Sequence, residues 1–199
     1  CNLACDGCWG EWSSTWAEIE NPDVPKKSLI ASTNDFQNIP DTIEKVVFLG
    51  GEPLMTNRHR RFLEKHKNLK NLTVEYFTNG MFKLTKKDHN VLKQCKSVKF
   101  TVSIDGVGKL NETVRAKSDW NTVVANARDI SNHYNTVVHS VIHKNNWQGL
   151  PEMLEWTTQN SYSWTTNVLT FPKELDIINL PNKLKNELIS ICNSYNIPN

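Results

Sequence analysis

Three of the five cysteines lie in the first eight residues, and their spacing constrains the fold more than any other feature. Cys1, Cys5 and Cys8 form a C-x3-C-x2-C pattern. Such short spacings bring thiolates from one loop around a single metal centre, yet structural zinc needs four protein ligands and cubane iron–sulfur clusters are commonly held by four thiolates. Three thiolates leave one iron of a cubane open to an exogenous ligand. A zinc site completed by a histidine, or a redox pair of Cys5 and Cys8, remains an alternative at this point.

Composition and charge narrow the class of protein. The chain has 199 residues, 23 basic and 21 acidic side chains and a net charge of +2, which suits one globular core and gives no clear nucleic-acid signal. The run 58–61 is therefore interpreted as a solvated helix face. No stretch approaches the roughly 18 apolar residues of a membrane span. Cys95 and Cys192 are predicted to be isolated thiols, and this cysteine usage indicates a reducing cytoplasm.

Short β-rich runs alternate with helical patterns, which is typical of parallel βαβ units. Strands are predicted at 45–49, 72–77, 98–104, 136–142 and 164–171. Helices are predicted at 26–38, 54–68, 85–94, 119–132, 148–160 and 181–195, with a short helix or a loop at 10–22. A sixth strand is expected just before Cys1, so we expect the sequence to lack its first strand or to be a fragment.

The candidate binding residues follow the predicted strands, and in a parallel barrel the active site lies at that end of the strands. In Gly50-Gly51-Glu52-Pro53 the two glycines allow the backbone to approach a ligand closely. They also leave carbonyl groups free to accept the hydrogen bonds that an ammonium group donates. Asn79 belongs to an Asn-Gly turn pair, and Arg115 is a two-pronged donor suited to a carboxylate. Taken singly, these features also fit two tight turns and a surface salt bridge.

The three cysteines, Gly50-Gly51-Glu52-Pro53, Thr78-Asn79-Gly80 and Ser103-Ile104-Asp105-Gly106 together resemble the motifs of the radical S-adenosylmethionine (radical SAM) superfamily. The resemblance implies an α/β fold, a partial (β/α)6 barrel of parallel strands over residues 1–171, followed by a helical extension over 172–199. It also implies a [4Fe-4S] cluster held by Cys1, Cys5 and Cys8. In that family the open iron chelates S-adenosylmethionine, which is reductively cleaved to a 5′-deoxyadenosyl radical that abstracts hydrogen from a substrate.

The same resemblance implies contacts to S-adenosylmethionine from residues at three strand ends and one downstream arginine. They are Gly50, Gly51, Glu52, Pro53, Thr78, Asn79, Ser103, Asp105 and Arg115. The glycine motif is expected at the amino group, and Ser103 and Arg115 at the carboxylate. Asp105 is expected to be a turn former or a substrate-side acceptor rather than a catalytic base. Gly7 departs from the family, which usually has an aromatic residue near the adenine at this position, so Trp9 is the expected substitute.

The motif combination looks most like the group that carries a C-terminal SPASM or shortened twitch domain, with residues 172–199 as the possible start of such a region. That group implies a peptide or protein substrate and a small reductant such as flavodoxin or ferredoxin. Only Cys192 lies in the extension, so no auxiliary cluster can be completed from this sequence. The alternatives are a small-molecule or nucleobase substrate, as in deazapurine synthesis, and a non-catalytic zinc-binding module.

Overall fold

The computed structural model describes residues 1–23 and 39–195. The helix predicted at 26–38 lies outside those residues. The centre of the fold is a parallel five-stranded sheet, ordered β2-β3-β4-β6-β7. Its strands are β2 (Lys45–Phe48), β3 (Thr73–Thr78), β4 (Ser97–Ser103), β6 (Asn135–Ile142) and β7 (Ser163–Val168). A separate antiparallel pair joins β1 (Ala4–Cys5) to β5 (Arg115–Ala116). The parallel α/β architecture predicted from the alternating pattern is confirmed.

The helices are α1 (Ser14–Glu20), α2 (Arg58–Lys65), α3 (Lys86–Leu92), α4 (Lys109–Val114), α5 (Trp120–Ser131), α6 (Leu150–Gln159) and α7 (Asn182–Ser194). Helices α2, α3 and α6 each connect two neighbouring strands of the parallel sheet, α4 and α5 lie between β4 and β6, and α7 follows β7. Asp119 caps helix α5, because its carboxylate accepts a hydrogen bond from the Thr122 amide. None of the helices in the described ranges is long and apolar enough to cross a membrane.

The hydrophobic core lies between the sheet and its helices. Side chains alternate between the two faces of a strand, and Tyr76 and Phe100 are buried on the helix-facing side among residues of α2, α3 and α5. Phe48, Tyr76 and Phe100 come from three neighbouring strands and stack with centroid separations of 4.9 and 4.6 Å. On the other face Phe77 is 41% exposed. The central strands β3 and β4 therefore bury helix-facing aromatic side chains, whereas Phe77 on the concave face remains accessible.

Several predicted boundaries were wrong. The helix predicted at 54–68 is α-helical only over Arg58–Lys65, because Pro53 begins a separate 3₁₀ turn and His66 already has extended backbone. The strand predicted at 164–171 ends at Val168, where its pairing with β6 ends at Ile142. Helix α4 and the β1–β5 pair were not predicted at all.

Helix α7 packs onto the barrel. Its residues Leu184, Leu188 and Ile191 all contact the apolar cluster formed by Ile142, Trp147, Leu150 and Leu180. Trp147 is only 2% exposed beneath them. Residues beyond the last strand therefore bury apolar side chains against the barrel.

Candidate active site

The cysteine loop is joined to the barrel through the β1–β5 pair. In this antiparallel ladder Cys5 is directly opposite Arg115, and the Asp6 amide donates to the Val114 carbonyl at 2.7 Å. Directly opposed residues in an antiparallel pair have Cβ atoms about 5 Å apart. The pairing therefore holds a guanidinium-bearing residue beside the second cysteine.

Hydroxyl groups around the start of α1 hold the cysteine loop from the other side. Ser13 Oγ donates to the Leu3 carbonyl at 2.6 Å, and Ser14 Oγ donates to the Cys1 carbonyl at 2.8 Å. The Trp16 indole N–H donates to the Cys5 carbonyl at 2.9 Å. Sequence reasoning missed these residues. The available signal was Ser13, a favoured N-cap residue ahead of a short helix, and its side chain does accept from the Trp16 amide.

Two glycines allow the loop to pack closely. A Cβ atom at Gly51 would lie 2.4 Å from the Cys1 nitrogen and 2.9 Å from its Cα, so only glycine lets the first cysteine lie against the end of β2. Gly7 has φ +72°, and a Cβ there would lie 2.7 Å from Leu169 Cδ2. The positive φ is strained for any residue that has a Cβ atom, which disfavours the aromatic residue usual in the family at this position.

Glu52 ties the ends of β2 and β3 together. Its buried carboxylate accepts from the Asn79 amide at 2.7 Å, Thr78 Oγ1 at 2.8 Å and the Leu54 amide at 3.0 Å. Burial raises the pKa of Glu52, although these three hydrogen bonds act in the opposite direction. Its carboxylate oxygens are thus occupied inside the protein, and Glu52 shapes the loop that carries Gly50 and Gly51.

Asn79 connects this strand end to the cysteines. Its side-chain amide donates to Asn2 Oδ1 at 2.9 Å and to Cys1 Sγ at 3.7 Å, while its Oδ1 accepts from the Met81 amide at 2.9 Å. A single side chain thus contacts the first cysteine and fixes its own turn. The structure brings together the cysteine loop, the glycine motif and the Thr78-Asn79 end of β3.

Asp105 and Arg115 form a buried ion pair with an Nη1–Oδ2 distance of 2.7 Å. The other carboxylate oxygen of Asp105 accepts from the Val141 amide at 2.7 Å. The structure therefore places both oxygens of Asp105 on protein donors, where the carboxylate positions Arg115. Arg115 itself is no surface residue: its side chain is 12% exposed.

One donor of Arg115 is left over. Its Nε is buried and has no hydrogen-bond partner, which is unusual because buried donors are nearly always paired. Burial by itself would lower the pKa of Arg115, but the negative charges of Cys5 and Asp105 more than offset it and raise the pKa. The guanidinium is therefore a permanent cation with an unused buried donor beside the cysteine loop.

The remaining predicted site residues lie at the same edge of the sheet. Ser103 is half-buried at the end of β4, opposite His139 of β6. His139 lies on the concave face, with its Nδ1 3.0 Å from Thr165 Oγ1. Trp9 is 36% exposed and packs edge-on against Phe171 with centroids 5.8 Å apart.

The three cysteines of the loop are partly buried. Burial raises the pKa of Cys5 and of Cys8, with Arg115 acting in the opposite direction on both. The guanidinium of Arg115 therefore favours the thiolate form, which is the form that binds metal.

Comparison with known proteins identifies the class. The family model of the Radical SAM superfamily matches residues 1–157, so the chain belongs to the radical SAM superfamily and the fold described above is that of a radical SAM enzyme. The cofactors of that family are a [4Fe-4S] cluster and S-adenosylmethionine. No curated protein sequence matches the chain.

Solved structures show the same fold at low sequence identity. Native anSMEcpe with bound AdoMet has a TM-score of 0.62 at 16% identity, covering 84% of this chain and 49% of its own. Streptococcus suis SuiB has a TM-score of 0.60 at 16% identity, covering 98% of this chain and 44% of its own. The SuiB complex with precursor peptide SuiA gives a TM-score of 0.58. The chain thus spans about half the length of these structures.

The residues present fit both cofactors. Three cysteines on one anchored loop match a cluster that leaves one iron open, and the unpartnered Nε of Arg115 offers a donor to a carboxylate. The close approach of Gly51 to Cys1 places the glycine motif directly against the cysteine loop.

Proposed function

We propose that this chain is the catalytic core of a radical SAM enzyme that acts on a peptide or protein, in the group with a C-terminal SPASM or twitch region. When bound, the cluster and S-adenosylmethionine supply a 5′-deoxyadenosyl radical for hydrogen abstraction. The observation that carries the proposal is the buried cation of Arg115 held opposite Cys5 with its Nε unpartnered. The core extends over residues 1–171, and 172–199 begins the region that follows it.

Each residue has a role that follows from its contacts. Cys1, Cys5 and Cys8 hold the cluster. Arg115 binds the carboxylate of S-adenosylmethionine, positioned by Asp105, because a guanidinium is the side chain best suited to a planar carboxylate. The carbonyls of the loop that contains Gly50, Gly51 and Pro53 accept from the amino group.

The other predicted contacts act through the strand ends. Glu52 and Thr78 hold the glycine loop against β3, and Asn79 orients Cys1 through its side-chain amide. Ser103 contributes a hydroxyl group at the C-terminal end of β4. None of these roles requires a titrating group, so the protein acts by binding, orienting and excluding water, while the cofactors carry the chemistry.

The structural relatives support a peptide as the substrate. SuiB has been solved with its precursor peptide SuiA, and anSMEcpe with the Kp18Cys peptide. In this chain an apolar groove of about 630 Å³ runs beside Cys8, with Trp9, Trp16, Phe171 and Leu175 in its walls. A groove of this kind suits an extended peptide with an apolar side chain.

The compartment and the electron donor are separate parts of the proposal. The free state of Cys95 and Cys192 supports operation in the reducing cytoplasm. Flavodoxin or ferredoxin would be the electron donor.

The proposal is tested by anaerobic reconstitution with iron and sulfide, followed by dithionite, S-adenosylmethionine and an assay for 5′-deoxyadenosine. The native chain should form 5′-deoxyadenosine, Cys5→Ala should lose both cluster and product, and Cys95→Ala should retain both. Retention of product formation by Cys5→Ala would refute the cluster assignment. Deuterium transfer into 5′-deoxyadenosine from a labelled peptide would support the substrate class, and transfer from a labelled nucleobase would overturn it.

A further inference from the structure

A second group of metal-binding side chains lies outside the active site. The ligand atoms of His89, Asp129 and His133 all lie within 4.8 Å of one another. His89 belongs to α3, Asp129 to the last turn of α5, and His133 follows that helix directly. The spacing of Asp129 and His133 is i, i+4, which places both side chains on one face of a helical turn.

Each imidazole has a hydrogen-bond partner at its Nδ1 atom. His133 Nδ1 lies 2.8 Å from the Asp129 carbonyl oxygen. A carbonyl only accepts, so Nδ1 carries the proton and Nε2 keeps its lone pair. His89 Nδ1 lies 2.9 Å from the Tyr134 hydroxyl, and its Nε2 faces Asp129. Metal-binding histidines are characteristically oriented by such a hydrogen bond on the opposite ring nitrogen.

The carboxylate between them has an unused oxygen. Asp129 Oδ2 is buried and has no hydrogen-bond partner, and it lies 3.8 Å from His89 Nε2. That distance is too long for a hydrogen bond, whereas two ligands of one tetrahedral zinc are about 3.4 Å apart, given bonds of about 2.1 Å. The gap between the two atoms is thus close to that between two ligands of one metal ion.

The two histidines lie side by side. Their imidazole rings have centroids 4.7 Å apart, so both can supply a nitrogen to one ion. The neutral imidazole is the form that binds metal.

We propose that His89, Asp129 and His133 bind a divalent first-row transition-metal ion such as zinc. Two imidazoles and one carboxylate are a common ligand set for these ions, and water completes the coordination. His133 lies two residues before Asn135, the first residue of β6, so the site lies at the amino-terminal edge of the sheet. It is therefore at the opposite edge from the cysteine loop and independent of the proposed function.

The ion would join α3 to the end of α5. His89 comes from α3, Asp129 from α5 and His133 from the turn after α5, so binding requires the native packing of both helices. A ligand that binds only the native state raises the free energy of unfolding in proportion to the logarithm of its concentration. Metal binding at this site would thus stabilise the packing of α3 against α5 on the outer layer of the barrel.

The test uses the chain with its cluster reconstituted, so that iron occupies the cysteines. After equilibration with zinc sulfate and gel filtration, metal analysis should find about one zinc per chain in the native protein and almost none in His133→Gln or Asp129→Asn. His133 is exposed, so His133→Gln should unfold at the same temperature as the native chain without zinc. His139→Gln is the matched control and should retain the zinc.

Zinc-edge X-ray absorption provides the second measurement. The expected first shell contains only nitrogen and oxygen, whereas sulfur ligands would show that zinc had entered the cysteine loop and would overturn the proposal. Zinc that survives in both ligand variants would overturn it as well, as would a native protein that retains none. A zinc-induced rise in melting temperature that disappears in His133→Gln would confirm the link between α3 and α5.

Discussion

Arg115 forms a buried ion pair with Asp105, at a distance of 2.7 Å. It also lies opposite Cys5 in the β1–β5 ladder. The first contact fixes the guanidinium, and the second directs it to the cysteine loop. Because β5 follows α4 directly, this short helix determines where Arg115 enters the site. A surface salt bridge would need neither the helix nor the ladder.

Breaking this ion pair should be costly. Arg115→Met leaves the Asp105 carboxylate buried without its partner, and we expect a loss of about 3–5 kcal/mol in the free energy of unfolding. The double variant Asp105→Asn/Arg115→Met should regain part of that loss, because the neutral amide can still accept from Val141. Urea unfolding followed by circular dichroism measures both.

The matched control for this cycle is Lys109→Met. Lys109 pairs with Glu112 on the surface and is 87% exposed, so its loss should cost less than about 1 kcal/mol. If Arg115→Met were no more destabilising than Lys109→Met, the pair would contribute nothing as a buried interaction.

Gly51→Ala should impair cluster assembly without unfolding the chain. The new Cβ would meet the backbone of Cys1 at 2.4 Å, and backbone cannot move aside as a side-chain tip can, so the loop must shift. We expect markedly less iron per chain after reconstitution, measured by iron analysis and absorbance. Gly149→Ala also introduces a 2.4 Å contact, but with Leu110 Cδ2, which can rotate away. Equal iron content in the two variants would contradict this account.

The free energy of unfolding should decrease as the pH is lowered, and part of this decrease should come from His59. Burial lowers the pKa of His59 from 6.5 to about 4, against the opposing charge of Asp88. Between these values the unfolded chain binds a proton that the native state does not, so stability is lost as pH falls from 6.5 towards 4. The expected loss between pH 7 and pH 5 is about 2 kcal/mol.

The comparison with His59→Gln isolates this contribution. Glutamine can still hydrogen-bond to the Tyr76 hydroxyl, which lies 3.0 Å from His59 Nδ1, but it has no proton to gain. Urea midpoints at pH 7, 6 and 5 should decline less steeply in the variant. Parallel declines would show that other groups carry the pH dependence.

The sequence predicted what depends on periodicity and missed what depends on tertiary contact. The five strands follow from β-branched runs, and the meeting of Gly51, Asn79 and Ser103 at one edge follows from parallel topology alone. By contrast, α4 is six residues long, too short for a helical period to stand out. The burial of His59 within a basic run was also missed, because it depends on Tyr76, a residue of the next strand.

The same limit applies to the direction in which site residues point. Glu52 belongs to the motif that predicts cofactor binding, yet its carboxylate is turned inward to Thr78 and Asn79. The motif specifies the loop, whereas the orientation of one side chain depends on which donors the neighbouring strand presents. Only the folded β2–β3 pair supplies that information.

The contacts that hold the cysteine loop contain no sulfur. Ser13, Ser14 and Trp16 bind its carbonyls, and β5 holds its backbone, so the conformational entropy of ordering the loop is lost when the barrel folds rather than when metal arrives. Zinc fingers are the opposite case, since they unfold without their ion. The cysteine loop should therefore stay folded after oxygen has destroyed the cluster. Iron and sulfide can then rebuild the cluster without unfolding of the chain.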